Sequence, residues 1–227
     1  MSKIEIFEKK MIKYGMSDED FEEYKKLLKR VHSHFSKRQH CYNTAIQFPA
    51  KYANQAIKLI EYGLNEFEDS WFSTYTSYLF IGNIYESINM YQNAYDSYLL
   101  AMKYIEGKDI YKFDLCGHLC WMRLHIDSFQ YSKELEDLYN IYNQIDDFSK
   151  GFMNDQFRLS VIQLVIALHH NHREIVEDAY KQVMAIYSPS IMDKFHNILT
   201  KHKYREILKI TSEVEMFIKR LNLKFYT

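Results

Sequence analysis

The chain has 227 residues, 47% hydrophobic and 26% charged, with a formal net charge of −1, which is ordinary globular stock. Six glycines and two prolines are too few for the many turns of a sheet-rich protein this long, so the composition argues for helices joined by short polar connectors. The near-neutral charge gives no general pull toward nucleic acid or an anionic membrane. No apolar run reaches the ~18–20 residues of a membrane span, and the N-terminus lacks the regions of a secretory signal.

Three cysteines, Cys41, Cys116 and Cys120, make no disulfide framework in a chain of this length, which points to a reducing cytoplasm. The many Lys, Asn, Ile and Tyr residues point to an AT-rich, bacterial genome.

Apolar residues recur at three- and four-residue spacings along the whole chain, the pattern of amphipathic helices. The first helix is expected over Lys3–Tyr14, capped by Ser2 and ended by Gly15. Ser17-Asp18-Glu19-Asp20 then opens a long helix carrying Phe21, Tyr24, Leu27, Leu28, Val31 and Phe35, with Pro49 closing the stretch. Beyond Pro49 the helices are expected in pairs: Lys51–Asn65 with Asp69–Ser87, Tyr91–Glu106 with Ile110–Ser128, and Ser132–Ile145 with Met153–His169. Arg173–Tyr187 follows, and after Pro189 come Ile191–Lys201 and Tyr204–Leu221. The connectors Ile88-Asn89-Met90, Gly107-Lys108-Asp109 and His170-Asn171-His172 are short enough to force antiparallel neighbours. No stretch reads as a linker, so a single α-helical domain over 1–227 is expected.

The most specific stretch is Tyr78–Ala101. It places Tyr78, Ile81-Gly82 and Tyr85 in one helix and Ala94, Tyr98 and Ala101 in the next. Small Gly82 and Ala94 suit a close helix crossing, and Tyr85 and Tyr98 fill the gaps around it. This pattern resembles the tetratricopeptide repeat (TPR). Weaker copies lie at Ala56, Ile60 and Gly63, at Tyr131, and at Val176, Tyr180 and Val183. Their offsets of about 38–42 residues exceed the family's period of ~34. The resemblance implies an all-α, right-handed superhelix of antiparallel helix pairs with helical caps at both ends. Its parts would be an N-terminal cap over 1–48, repeats over 49–190 and C-terminal capping helices over 191–227.

The same resemblance implies a concave groove lined by the first helix of each pair, which takes a protein or peptide. On the best repeat that face would present Thr76, Leu79, Asn83, Glu86 and Ser87, with Asn83 where the family often bonds a ligand backbone. The next pair would present Leu119, Arg123 and Asp127, and the earlier one Arg38 and Cys41. Arg123 suits a carboxylate. The family's carboxylate clamp needs Lys or Arg where Leu79 stands, so chaperone-tail binding is not indicated.

Cys116, His118 and Cys120 with His125 can be drawn as a metal site, but no second ligand pair accompanies them as zinc requires; buried thiols on a packed helix are the plainer account. His169-His170-Asn171-His172 sits at a helix end and reads as a cap. No phosphate loop, HExxH or GxSxG element is present. The run from Lys25 to Arg38 holds six basic residues and no acid, which reads as a solvated face or a site for an acidic protein rather than for nucleic acid.

The expectation is a non-catalytic, cofactor-free, cytoplasmic binder of protein or peptide, such as a toxin-neutralising immunity protein. The alternatives are a sensor of signalling peptides or regulatory scaffold, and an enzyme or metal-dependent regulator using the Cys116/His118/Cys120 cluster.

Overall fold

The computed structural model describes residues 2–67, 71–105, 109–143 and 156–187. All regular structure in them is helical: α1 (Lys3–Tyr14), α2 (Asp18–Leu28), α3 (His34–Ala45), a 3-10 turn (Ala50–Tyr52), α4 (Ala53–Glu66), α5 (Trp71–Ser87), α6 (Tyr91–Lys103), α7 (Asp109–Ile126), α8 (Lys133–Asn143), α9 (Gln156–His169) and α10 (Arg173–Tyr187). The bounds of α1 and α10 coincide with those expected. Expected helices Ile191–Lys201 and Tyr204–Leu221 lie outside the described residues.

Local chemistry sets the first boundaries. The Ser2 hydroxyl accepts from the Glu5 N–H while the Glu5 carboxylate takes the Ser2 N–H, a reciprocal cap. Gly15, at φ 87°, returns its N–H to Met11 and ends α1. Ser17 and Asp20 repeat the reciprocal cap on α2.

The single helix expected between Ser17 and Pro49 is two helices. At the end of α2 the N–H groups of Arg30 and Val31 turn to carbonyls three residues back, at Leu27 and Leu28, which tightens and stops the helix. Ser33 then caps α3, its hydroxyl accepting from the Ser36 N–H at 3.0 Å. Serine side chains offer the backbone this alternative to continuing helix. Pro49 accepts from the Tyr52 N–H at 2.8 Å and starts the 3-10 turn, which moves the head of α4 to Ala53.

The described residues fall into two compact units, Met1–Met122 and Arg123–Thr227, with the division inside α7. In the first, α3 packs on α4, α5 on α6, and α4 on α5; in the second, α9 packs on α10. The α5–α6 pair is the one the Tyr78–Ala101 repeat implies. The pairing of helices two by two from Pro49, which joined 51–65 to 69–87, is corrected in that α4 packs more closely on α3 than on α5. The three-residue connector at Ile88–Met90 belongs inside a pair, not between pairs.

Contacts fix the directions. Tyr78 stacks on Tyr104, and Tyr98 meets Gly82, Asn83 and Glu86, so α5 and α6 run antiparallel. Tyr42 meets Phe80 at 4.7 Å and Arg38 meets Ser77 at 3.3 Å; the pairings rise together along both chains, so α3 and α5 run parallel at an offset of about 38–39 residues. Phe72 meets Tyr111 at 5.8 Å, the same offset from α5 to α7.

A second periodicity lies in the turns. Asn89, Ser128 and Asn171 all have positive φ, at 60°, 52° and 54°. Each donates its N–H three residues back, to Glu86, His125 and Leu168 respectively. The following residue donates five back, from Met90 to Tyr85, Phe129 to Leu124 and His172 to Ala167. This double hydrogen bond closes a helix with a left-handed residue. Asn tolerates that conformation; Ser does so less well. Replacing exposed Ser128 with Gly is expected to stabilise the chain by about 0.5 kcal/mol, the left-handed penalty less the glycine entropy, and Asn89→Gly by less. Urea unfolding of both variants measures the difference; equal gains at the two sites would contradict the ranking.

Gly82 makes the α5–α6 crossing. A Cβ there would lie 2.3 Å from Tyr98 Cε1 and 2.6 Å from Cδ1, so the phenol ring occupies the space that any side chain would need. Gly63 plays a related part between α4 and α3, its missing Cβ standing 3.0 Å from Cys41 Cβ. Ala56, Ile60, Ala94, Tyr98 and Ala101, the small and large positions of the two aligned second helices, are all buried. Gly82→Ala is expected to cost about 1–3 kcal/mol by overpacking, read as a lowered urea midpoint with an unchanged slope. A loss that persists in full in Gly82→Ala/Tyr98→Leu would show that the ring is not the cause.

One carboxylate ties helix α1 to both of the next two helices. Glu8 Oε1 accepts from the Tyr24 hydroxyl at 2.9 Å and lies 2.8 Å from His40 Nδ1, joining α1 to α2 and α3. Burial, with Cys41 and Glu8 nearby, pushes the Tyr24 phenol far above its ordinary range.

A polar and aromatic face on helix α5

Five residues of α5 share one helical face: Phe72, Thr76, Leu79, Asn83 and Glu86, spaced by three or four throughout. Phe72 is 45% exposed, and the other four are half-buried. Tyr111 of α7 stands 5.8 Å from Phe72 and 5.4 Å from Tyr75, making an aromatic cluster at the start of the face.

The other end is polar. The Tyr98 hydroxyl, brought over from α6, lies 2.7 Å from Glu86 Oε2 and 2.8 Å from the Asn83 side-chain amide. A phenol has one proton, and the carboxylate is the stronger acceptor. Tyr98 therefore donates to Glu86, and its oxygen accepts when Asn83 turns its NH2 toward it. His118 of α7 stacks on the Tyr98 ring at 4.7 Å between centroids. Its Nδ1 is 3.4 Å from Glu86 Oε2, within ion-pair range, yet that buried nitrogen has no hydrogen bond among the described residues. Three helices thus meet on one carboxylate.

Of the residues singled out in the sequence, Thr76, Leu79, Asn83 and Glu86 come together on this face. Leu119 is 0% exposed and Arg38 only 4%, so both lie in the interior rather than on an open surface. The Arg38 guanidinium donates to the Phe67 carbonyl and to the Thr74 and Ser77 hydroxyls, tying α3 to α5. Arg123, in the second unit, makes two 2.8 Å bonds to Asp127 and lies 3.1 Å from Glu134; its fork already holds carboxylates of its own chain. Phe72, Tyr98, Tyr111 and His118 were not assigned to a binding face. The 39-residue step from Phe72 to Tyr111 is the signal that would have found one of them.

Cys116 and Cys120 are buried. Burial pushes the Cys116 thiol up to about 11, with Lys112 opposing. It raises Cys120 further, with Cys116 adding to the effect, and Cys41 likewise, with Glu8 adding to it. Thiolates are the reactive form. All three cysteines are free, and at pH 8 they are expected to leave a thiol reagent such as dithionitrobenzoate unreacted for minutes in the native chain and to react at once in guanidinium. Rapid native reaction at any of them would contradict this. Among the described residues no three His, Cys, Asp or Glu side chains are grouped as metal ligands, and no helix is long and apolar enough to cross a membrane.

Compared with known proteins, the chain matches no family model, no curated protein and no solved structure.

Proposed function

We propose that the chain is a non-catalytic, TPR-like helical-repeat protein that captures a polypeptide segment along the α5 face, acting as a bacterial cytoplasmic binder of the immunity-protein kind. The observation that carries this reading is the face itself. An aromatic end, where exposed Phe72 meets half-buried Tyr111 from α7, and a hydrogen-bonding end at Asn83 and Glu86 lie on one face of α5. Aromatic rings supply desolvated contact at low entropy cost, and side-chain amides and carboxylates pair with a bound backbone or side chain.

The parallel first helices, the antiparallel pairs and the recurring left-handed turns support the repeat assignment, with a period longer than the family's usual one. The buried, protonated thiols support a binder over an enzyme using cysteine chemistry. Because Asn83 and Glu86 also bond Tyr98, substitutions there change the fold as well as the face, so half-buried Leu79 and Thr76 are the better probes. Full-length chain and the variants Leu79→Arg and Thr76→Arg would be used to capture polypeptides from the cells that encode it. The expected result is a polypeptide retained by the parent chain and lost, at least about tenfold, from both variants at unchanged helicity by circular dichroism. Equal recovery by all three would refute the α5 face as the binding surface.

A further inference from the structure

The chain carries no Asp or Glu between Glu23 and Glu61, a stretch that covers the end of α2, all of α3 and most of α4. Several of its cations are accounted for. Lys25 and Lys26 sit in the last turn of α2, where the helix dipole favours them, and they pair with Glu22 and Glu23. Lys58 pairs with Asp18, and Lys51 lies over the Tyr52 ring. Arg38 is interior.

What is left clusters at the turn where the helix expected to be continuous breaks. Lys29 and Arg30 are exposed and have no ion-pair partner among the described residues; His32 and His34 are exposed beside them. Lys37, one turn into α3, rests over the Phe67 ring at 5.7 Å. The first turn of α3 holds no acid to offset them. Phe35 stands among these cations at 57% exposure, although the apolar periodicity would have put it in the core.

We propose that this turn, Lys29 to Lys37, is a docking surface for an acidic polypeptide segment, with Lys29, Arg30 and Lys37 meeting its carboxylates and Phe35 an apolar side chain between them. Charge complementarity selects the partner. Like charges concentrated without counter-charges repel one another, and a carboxylate-bearing partner relieves that repulsion while gaining its own pairing energy. The patch is short, and the start of the same helix carries Asp18, Glu19, Asp20, Glu22 and Glu23. A nucleic acid backbone, which needs a track of cations, would run into those acids, whereas a short acidic segment fits between them. An aromatic ring flanked by cations also suits a peptide that alternates acidic and apolar residues. The surface is carried by α2 and α3 and does not depend on the α5 face.

The test is fluorescence anisotropy of a labelled peptide of alternating Glu and Leu against the full chain at low ionic strength. The expected result is binding that weakens as salt rises, and that weakens about tenfold in K29E/R30E while Lys112→Glu, an exposed lysine of α7, leaves it unchanged. Circular dichroism confirms that the variants keep their helices. The proposal is overturned if Lys112→Glu weakens binding as much, if K29E/R30E binds as the parent does, or if a thymidine oligonucleotide binds more tightly than the peptide at the same salt. It is also overturned, in favour of a second copy of the chain using its own Asp18–Glu23 run, if sedimentation shows a dimer that K29E/R30E breaks and the peptide does not bind.

Discussion

The contact of the Tyr98 ring with the bare backbone of Gly82 is the one on which the rest of the first unit turns. With no Cβ in the way, the ring lies directly on α5, and its hydroxyl reaches Glu86 and Asn83. The same ring also supplies the surface on which His118 of α7 stacks. One missing methyl group therefore sets the approach of α6 to α5, the placement of a carboxylate on the α5 face and the docking of a third helix. A larger residue at position 82 would displace all three together, because protein interiors do not absorb such volume locally.

The turns add a second constraint of a different kind. Three helices end in the same left-handed cap although three different residue types, if Phe129 at φ 60° is included, accept positive φ to make it. The hydrogen-bond pattern is thus kept where the residue preference is not satisfied. The α3–α4 pair departs from this. Its connection runs through Pro49 and a 3-10 turn, and its crossing uses Gly63 against Cys41 rather than a glycine against an aromatic ring.

Helix ends governed by neighbouring residues were legible: Ser2 with Glu5, Gly15, and Asn89 between Ile88 and Met90 all act within a few positions. The break at 29–33 was not, because the apolar period runs unbroken through Leu27, Leu28, Val31 and Phe35 while the caps formed by Ser33 and Ser36 are weak signals in a polar stretch. The partner of α4 was misplaced because spacing along the chain says which helices are neighbours but not which of two neighbours is packed more closely. On the site, Asn83 and Glu86 follow from helical spacing alone. Arg38 and Leu119 were expected on a surface because charge and face position were weighed without the adjacent pair, whose carbonyl and hydroxyl groups take up the guanidinium. His118 was grouped with its sequence neighbours Cys116 and Cys120, whereas a residue two positions away on a helix points elsewhere, and its companions come from α5 and α6.

The clamp at Glu8 carries one more consequence. The α3–α4 pair has no carboxylate of its own before Glu61, and two of its side chains lie against carboxylates of the two preceding helices: His40 beside Glu8, and Lys58 beside Asp18. Helices α1 and α2, with six basic and seven acidic residues, thus lend the pair individual carboxylates rather than a net opposite charge. Their removal would do more than uncover apolar surface; it would take from His40 and Lys58 the carboxylates that lie against them.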